Sequence, residues 1–549
     1  MEHSIENINQ ILHNNGISKQ SRIKLLVDLL KGDDGIIDIN LKNKLKPFIE
    51  SLKMGRNQDD IQTIFMMLGE KVLKQSLDQY YTPSTIGNFI AKCCKCDNEY
   101  ISVLEPACGT GDLVTSIKSN FTEFRDISSD VCELLQLNLE LRGLNHTNYN
   151  VFNVNSLSYK SEMKFTYVVS NPPFGTRTIE ENIDILNKFE IASGKKKEQL
   201  GKLFVEYGLQ QLVPNGIMFI IIPTGYLTNK GDINMRKHLF MKYRIVAIIE
   251  LPQNTFKISG TGVDTALLIV ENRQTEDDYE IFISHPEVIG IDTKNKNTPP
   301  LYVVDTNGKT TDKLNNYFEK ILDEFGSFCG KNNIKYLHKN TNGFSYTFVM
   351  KSTLVEDGMT LAVKQYLKKY TDVVTNIKNN PYFTLEGKVN ENISKKKIDM
   401  DTEYLYIDIS EINNSDYFTK NWIKGYKLPG RATYEVKEND IVLSKLKGTP
   451  SFTMIFDDCD SLILTNGVFI LRIADEKYRL ALFRFLFDAR FVLQFNNLAG
   501  GSIMACVNDY DLRNKIYIPL YSDDELFEVK ELLSCVRKAH KIKYIITQQ

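Results

Sequence analysis

Nothing in this 549-residue chain reads as a membrane anchor, a disulfide framework or a polycation. No run of about 18 apolar residues occurs, the length a spanning helix needs, and the longest apolar candidate, residues 217–223, is strand-sized. Nine cysteines are scattered without the even rhythm of a disulfide scaffold, which points to a reducing compartment. Cys93, Cys94 and Cys96 cluster, but no second Cys or His pair follows at metal spacing. Thiols buried in a helix are therefore preferred to a zinc site, and no metal is expected. The opening MEHSIENINQ is polar and acidic, unlike a secretory leader, so a cytoplasmic protein is expected. Charge nearly cancels, with 67 basic against 69 acidic side chains. A polyanionic partner would have to be met by positive charge gathered locally. A glycine-rich loop ending in Gly-Lys-Ser or Gly-Lys-Thr is also missing, which excludes a P-loop nucleotidase.

What is present is apolar material for several cores, 42% of the chain, over a length that predicts two to four domains of roughly 100–200 residues. Residues 1–78 read as helices: Leu25, Leu26, Leu29 and Leu30 recur at helical spacing, as do Ile61, Ile64, Phe65 and Leu68. From about 100 to 270 short apolar runs (101–104, 167–170, 218–222, 245–251 and 266–270) alternate with amphipathic stretches. That alternation predicts an α/β domain with a largely parallel sheet. The polar stretch TKNKNTPP (293–300) reads as a linker or exposed loop. Beyond about 361, short β-like runs at 404–409, 440–444, 462–464 and 468–473 are separated by Asn, Asp and Gly, and 526–546 reads as a closing helix.

The segment VLEPACGTGDLV (103–114) carries a short strand ending at Glu105, a turn with Gly109 and Gly111, and an expected helix. Glycines permit positive φ and a close backbone approach, both useful where a strand meets a cofactor. A dinucleotide fingerprint needs a third glycine where Val114 stands, which disfavours a nicotinamide cofactor. Taken alone, the segment leaves an ordinary strand-turn-helix open. Asp126 closes a second short segment ahead of an expected helix over 131–141. A carboxylate there can accept both hydroxyls of a ribose; a surface Asp or a helix cap is the plainer account. Asn155, in VFNVNSL, is a candidate contact to the adenine ring of a cofactor.

The sharpest signal is Asn171-Pro172-Pro173-Phe174, directly after the apolar run YVVS. Two prolines fix φ and remove two N–H donors, leaving a stiff loop rich in acceptors. The Asn171 side-chain oxygen and the Pro172 carbonyl offer lone pairs to an amine, and Phe174 offers a stacking surface. Together they suit an exocyclic –NH2 on a flat heterocycle. Such an amine is a poor nucleophile because its lone pair is delocalised into the ring. Two acceptors on its hydrogens favour the pyramidal geometry that frees that pair. Beside a sulfonium donor, catalysis becomes alignment for in-line displacement plus electrostatic support for charge on nitrogen.

In these residues the chain resembles the gamma-type amino-methyltransferases, and specifically the modification subunits of type I restriction systems, through most of residues 55–275. Asp78-Gln79-Tyr80-Tyr81-Thr82-Pro83 is similar to the stretch that, in that family, closes over the methionine end of S-adenosylmethionine, which makes Tyr81, Thr82 and Pro83 candidates. Glu105, Pro106, Gly109, Thr110 and Gly111 match the cofactor loop, Asp126 the ribose ligand, and Asn171 to Phe174 the catalytic motif, with Asn171 also bordering the cofactor. Residues 204–223 and 248–270 look like later core segments. Asn at the first motif position, rather than Ser, resembles adenine-specific members more than cytosine N4 enzymes. Asn155 stands where many relatives have Asp, and Cys108 occupies a variable position.

The resemblance implies an α/β fold: a Rossmann-like S-adenosylmethionine-dependent methyltransferase core (79–290) between an N-terminal helical domain (1–78) and a connector (291–360). A C-terminal α+β target-recognition domain (361–549) follows, because residues 439–452, 462–473 and 498–520 resemble half of a type I specificity subunit. The implied activity is methyl transfer to N6 of an adenine flipped out of duplex DNA, within a restriction-modification system or as an orphan methylase. Stacking on Phe174 would return about 1–3 kcal/mol of the extrusion cost. Arg431, Lys445, Lys447 and Arg513 are candidate DNA contacts, with a solvated or phosphate-facing charge as the plainer account of each. The lysine runs 195–197 and 395–397 are assigned to exposed loops. Restriction would come from a separate endonuclease subunit, and monomer and homodimer both stay open. Two other readings also stay open: a methyltransferase acting on RNA or protein amides, and a DNA-binding specificity protein with an inert methyltransferase part.

Overall fold

The computed structural model describes residues 2–17, 25, 29, 38–54, 82–95, 99–141, 144, 148–174, 183–257, 261–295, 298–390, 395–412, 422–456, 461–500 and 505–547. Two compact units divide the chain, Met1–Val363 and Lys364–Gln549. Tyr81 and the helical spacing around Ile61, Ile64, Phe65 and Leu68 lie outside the described residues. Of the N-terminal region, the helices Glu2–Asn14 and Ile39–Met54 bury Ile8, Leu12, Leu41, Leu45 and Ile49.

The first unit is built on β1 (Ser102–Glu105), β2 (Phe121–Asp126), β3 (Tyr149–Asn153), β4 (Phe165–Ser170), β5 (Leu212–Pro223), β6 (Arg244–Glu250), β7 (Thr265–Glu271) and β8 (Glu280–Ser284). The hairpin β9 (Tyr302–Val304) and β10 (Thr310–Leu314) follows, and then β11 (Phe348–Met350). Nine of these strands form one sheet in the order β11-β8-β6-β7-β5-β4-β1-β2-β3. β1 lies parallel between β2 and β4, β2 runs parallel to β3, and β4 to β5. β7 inserts antiparallel between β5 and β6. Strands covered on both faces read as continuous apolar runs, which is why FTYVVS of β4 and TALLIVE of β7 are buried throughout. This is the Rossmann-like α/β core, with a largely parallel sheet, that the sequence predicts.

Strand order reverses between β1 and β4, so the loops leaving them diverge and open a crevice at the carboxyl edge of the sheet. Glu105 and Asp126 end their strands at that edge, and Asn155 and Asn171 follow within two residues of a strand end. The expected helix before β3 is present as Ser129–Leu141.

Two expectations are corrected. The helix expected after Gly111 does not form: residues 111–117 run as successive turns, in which Val114 N–H donates to Gly111 O at 3.3 Å and Ile117 N–H to Val114 O at 2.9 Å. β-Branched Val114, Thr115 and Ile117, with Ser116 and Ser119 competing for backbone groups, make this a poor helix. Residues 291–360, expected as a connector, belong to the first unit. There β11 joins the main sheet antiparallel to β8, and the helix Phe318–Lys331 sets Phe325 and Phe328 against Phe282, with ring centroids 5.1 and 5.7 Å away. The described residues of 293–300 belong to that unit, flanked by the Ile291–Pro300 bridge.

The second unit is α+β. β12 (Tyr382–Phe383) pairs with the late β20 (Ile518–Pro519). A four-stranded sheet contains β13 (Glu403–Ile407), β14 (Trp422–Lys424), β15 (Ala432–Glu435) and β18 (Leu462–Thr465), and a three-stranded one β16 (Ile441–Ser444), β17 (Phe452–Met454) and β19 (Val468–Leu471). The closing helix is Asp523–Thr547. No helix among the described residues is long and apolar enough to cross a membrane.

Candidate active site

The loop after β1 is held by side chains from three other elements. Gly109 and Gly111 have φ of +51° and +81°, a region that L side chains rarely adopt. A Cβ on Gly111 would also lie 2.5 Å from Leu135 Cδ1, whereas one on Gly109 would meet nothing within 4 Å. Asp126 Oδ2 accepts the Gly109 N–H at 3.2 Å and Oδ1 that of Ser128 at 2.9 Å, so the carboxylate is oriented across the loop. From the helix Ser129–Leu141, the fully buried Asn138 donates Nδ2–H to Thr110 O at 2.6 Å. From beyond β3, Ser156 Oγ donates to Pro106 O, also at 2.6 Å. The Thr110 hydroxyl donates to the Asp112 carboxylate.

Electrostatically the crevice is acidic. Glu105 is 2% exposed, and its Oε2 has no hydrogen-bond partner among the described residues. Burial first, then nearby Asp112 and Asp126, pushes its carboxyl well above the usual carboxylate range. Desolvation also raises the Asp126 carboxyl, opposed by the N–H groups it accepts. An orphaned buried carboxylate oxygen, an oriented second carboxylate and glycine backbone with open space beside it fit a ligand that brings a cation and a diol. Asn155, the candidate contact to the cofactor's adenine, has its Oδ1 accepting the Leu157 N–H at 3.1 Å in the turn after β3.

The second half of the site follows β4. Asn171 Nδ2 donates to Thr82 Oγ1 at 2.9 Å, while its buried Oδ1 has no hydrogen-bond partner among the described residues. Thr82 precedes Pro83, which N-caps the helix Ser84–Cys93. That helix is pressed against the first half of the site, since a Cβ on Gly87 would lie 2.5 Å from Asp112 O. Pro172 is buried and Pro173 half-buried. Phe174, expected to present an open stacking face, is 3% exposed and packs edge-on to Phe256 with centroids 5.9 Å apart. A base reaching that ring has to displace a neighbour. Sequence reasoning missed Asn138, Ser156 and Phe256. Of these only Asn138 left a trace, as the one asparagine in the leucine-rich LLQLNLEL.

In the second unit the candidate cations are partly committed. Arg431 pairs with Asp408, and Arg513 Nε lies 2.8 Å from Asp509. Lys445 Nζ donates to Asn466 O at 3.0 Å and sits over the Phe469 ring; burial lowers its pKa. Asn466 N–H donates to Arg431 O at 2.8 Å, so Arg431 and Lys445 meet around one turn. Lys447 N–H donates to Ala505 O at 2.9 Å. Lys396 N–H donates to Thr433 O, laying the run 395–397 alongside β15. In the first unit, Lys195 of the other run pairs with Glu198.

Known proteins match this chain in sequence. Residues 62–372, more than half of the chain, match the N-6 DNA Methylase family. The methylase subunit of the type I restriction enzyme MpnII from Mycoplasma pneumoniae is 24% identical over 279 residues, 45% of this chain and 47% of that protein. The type II methyltransferase M.VspI from a Vibrio species is 25% identical over 177 residues, 31% of this chain and 43% of that one. The chain thus spans less than half the length of these curated relatives. Among solved structures, the type I restriction-modification system methyltransferase subunit from Streptococcus thermophilus matches 66% of this chain and 80% of its own, at 17% identity and a TM-score of 0.43. By the match over residues 62–372, the chain belongs to the N-6 DNA Methylase family.

Proposed function

We propose that this chain transfers a methyl group from S-adenosylmethionine to N6 of an adenine extruded from duplex DNA. The observation that carries the reading is the buried Asn171 Oδ1 without a hydrogen-bond partner among the described residues. Such an orphan costs about 1–3 kcal/mol, and the N–H of an exocyclic amine would satisfy it. With the Pro172 carbonyl as second acceptor, both amine hydrogens are gripped and the nitrogen lone pair is turned out of the ring plane. Bound S-adenosylmethionine supplies an electrophilic methyl group. Asp126 accepts its ribose hydroxyls, Gly109 keeps a side chain out of its way, Gly111 lets the loop turn against Leu135, and Glu105 faces its cationic end. Asn171 steadies the positive charge that develops on nitrogen; its amide is too weak a base to keep the released proton, which passes to water. Phe174 packs the base once it enters, with Phe256 shifting aside.

Duplex DNA is the partner in this reading, held in part by the second unit through Arg431, Lys445 and Lys447, with Arg513 more committed to Asp509. The type I and type II methylase relatives support a cytoplasmic place in a restriction-modification system, with cleavage by another subunit. Incubating the protein with S-adenosylmethionine and unmethylated duplex DNA, then digesting to nucleosides for mass spectrometry, tests the proposal. N6-methyldeoxyadenosine is expected, and Asn171→Ala is expected to abolish it with DNA affinity held within a few-fold. N4-methylcytosine, or methylation of RNA or protein but not DNA, would overturn it.

A further inference from the structure

Thr82, a cofactor candidate by resemblance, is bonded to the Asn171 carboxamide. We infer that Thr82 is a positioning residue for Asn171, fixing the carboxamide so that its oxygen meets the substrate amine. This rests on the proposed amine methylation. The torsion that swings an asparagine carboxamide is broad and roughly two-fold, so backbone rigidity alone does not place Oδ1. The prolines that follow stiffen the main chain of the loop and leave that torsion free. The Nδ2–H bond to Thr82 Oγ1 at 2.9 Å sets the amide plane, and the opposite end of the group, Oδ1, is thereby held still inside the site.

Thr82 is itself on a rigid frame. It is 6% exposed and immediately precedes Pro83 and the helix Ser84–Cys93. That helix is anchored at its first turn by the Thr85 hydroxyl, which donates to Ile289 O at 2.6 Å. It is pressed through Gly87 against the Asp112 carbonyl, next to the loop that carries Gly109 and Gly111. One hydroxyl thus joins the catalytic side chain to the element braced on the cofactor loop. Chemistry that depends on in-line alignment is sensitive to displacements of about 1 Å, which cost on the order of 100-fold in rate.

Thr82→Val keeps the shape and removes the oxygen. With saturating S-adenosylmethionine and DNA, kcat is expected to fall about 10- to 100-fold, while the cofactor dissociation constant measured by calorimetry stays within about 3-fold of wild type. Thr82→Ser, which keeps the oxygen, recovers most of the lost rate. A Thr82 that served the cofactor would show the opposite split, a weakened dissociation constant with kcat intact at saturation, and that result overturns the inference. Equal kcat for Val and wild type overturns it as well. If the valine variant fails to fold, the Ser and Ala pair decides: a serine variant as slow as the alanine one refutes the role of the hydroxyl. Should the wild-type protein methylate no DNA amine at all, the proposed function fails before this question arises.

Discussion

Replacing Asn138 by leucine keeps the branched arrangement of heavy atoms, in a somewhat larger side chain, and removes one N–H donor from beneath the cofactor loop. In the native fold Nδ2 donates to Thr110 O at 2.6 Å, with Asn138 fully buried and Thr110 nearly so, leaving water little access to replace it. A buried carbonyl stripped of its donor costs about 1–3 kcal/mol. That cost is shared between two measurable quantities. If the loop keeps its shape, it appears as lost stability. If the loop relaxes to find another donor, the shape must be rebuilt on binding, and the cofactor dissociation constant rises by up to about 5- to 150-fold for the same free energy. Thermal denaturation with and without S-adenosylmethionine, together with calorimetric titration of the same preparation, measures both. A variant with unchanged melting and unchanged affinity would refute the view that Asn138 holds the loop. Lower melting with unchanged affinity would reduce it to an ordinary core residue.

Gly111→Ala meets both a φ of +81° and Leu135 Cδ1 at 2.5 Å, so it should weaken cofactor binding and lower the melting temperature. Adding Leu135→Ala relieves the clash but not the backbone strain, so calorimetry should find partial recovery; full recovery would contradict the strain argument. Glu105→Gln should act with opposite signs on two observables. The Glu105 carboxyl is raised by burial and by Asp112 and Asp126, so the cofactor-free fold loses stability as pH climbs from the unfolded carboxylate range near ~4.3 through the raised folded value. Glutamine removes that loss and flattens the stability profile, yet weakens binding of a cationic ligand; tighter binding to the variant would show that Glu105 does not face the cation.

The parts legible in the sequence are those where one physical demand dominates the local residues. β4, β5 and β7 must be apolar on both faces, and their runs announce them. The Asn-Pro-Pro-Phe loop and the glycines of the cofactor turn are legible because few other residues can supply a stiff acceptor-rich backbone or positive φ. What stays hidden is pairing. The charges of Arg431 and Arg513 are visible in the chain, but not their commitment to Asp408 and Asp509. An aromatic at the fourth motif position is visible, but not that Phe256, 82 residues on, covers it. Residues 318–331 fall within the expected connector, and nothing local in the chain announces that this helix packs on Phe282 of β8, which lies beyond the last apolar run read from the sequence, 266–270.

β2 shows how the site's rigidity is built from such pairings. Its six residues, FTEFRD, include Glu123, Arg125 and Asp126, an unpromising composition for an inner strand. Strand alternation divides them: Phe124 and Asp126 fall on one face, Glu123 and Arg125 on the other. On that other face Arg125 is fully buried, donates Nε–H to Glu123 at 2.6 Å and bonds the Tyr207 hydroxyl, and its guanidinium lies 4.7 Å from the centre of the Tyr159 ring. Tyr159 belongs to the turn that begins at Asn155 and is closed by its N–H bond to Asn155 O at 2.9 Å. The strand that presents Asp126 to the crevice therefore also clamps, from behind, the loop after β3, whose Ser156 in turn holds Pro106. Asp126, the Gly109 turn and the Asn155 turn are thereby fixed relative to one another without a direct bond between all three. A buried ion pair is a weak source of stability by itself, because desolvation offsets most of its attraction. Its value at this position is geometric: it forces three loops at the carboxyl edge into a single register, which the proposed methyl transfer, as an alignment-driven reaction, requires.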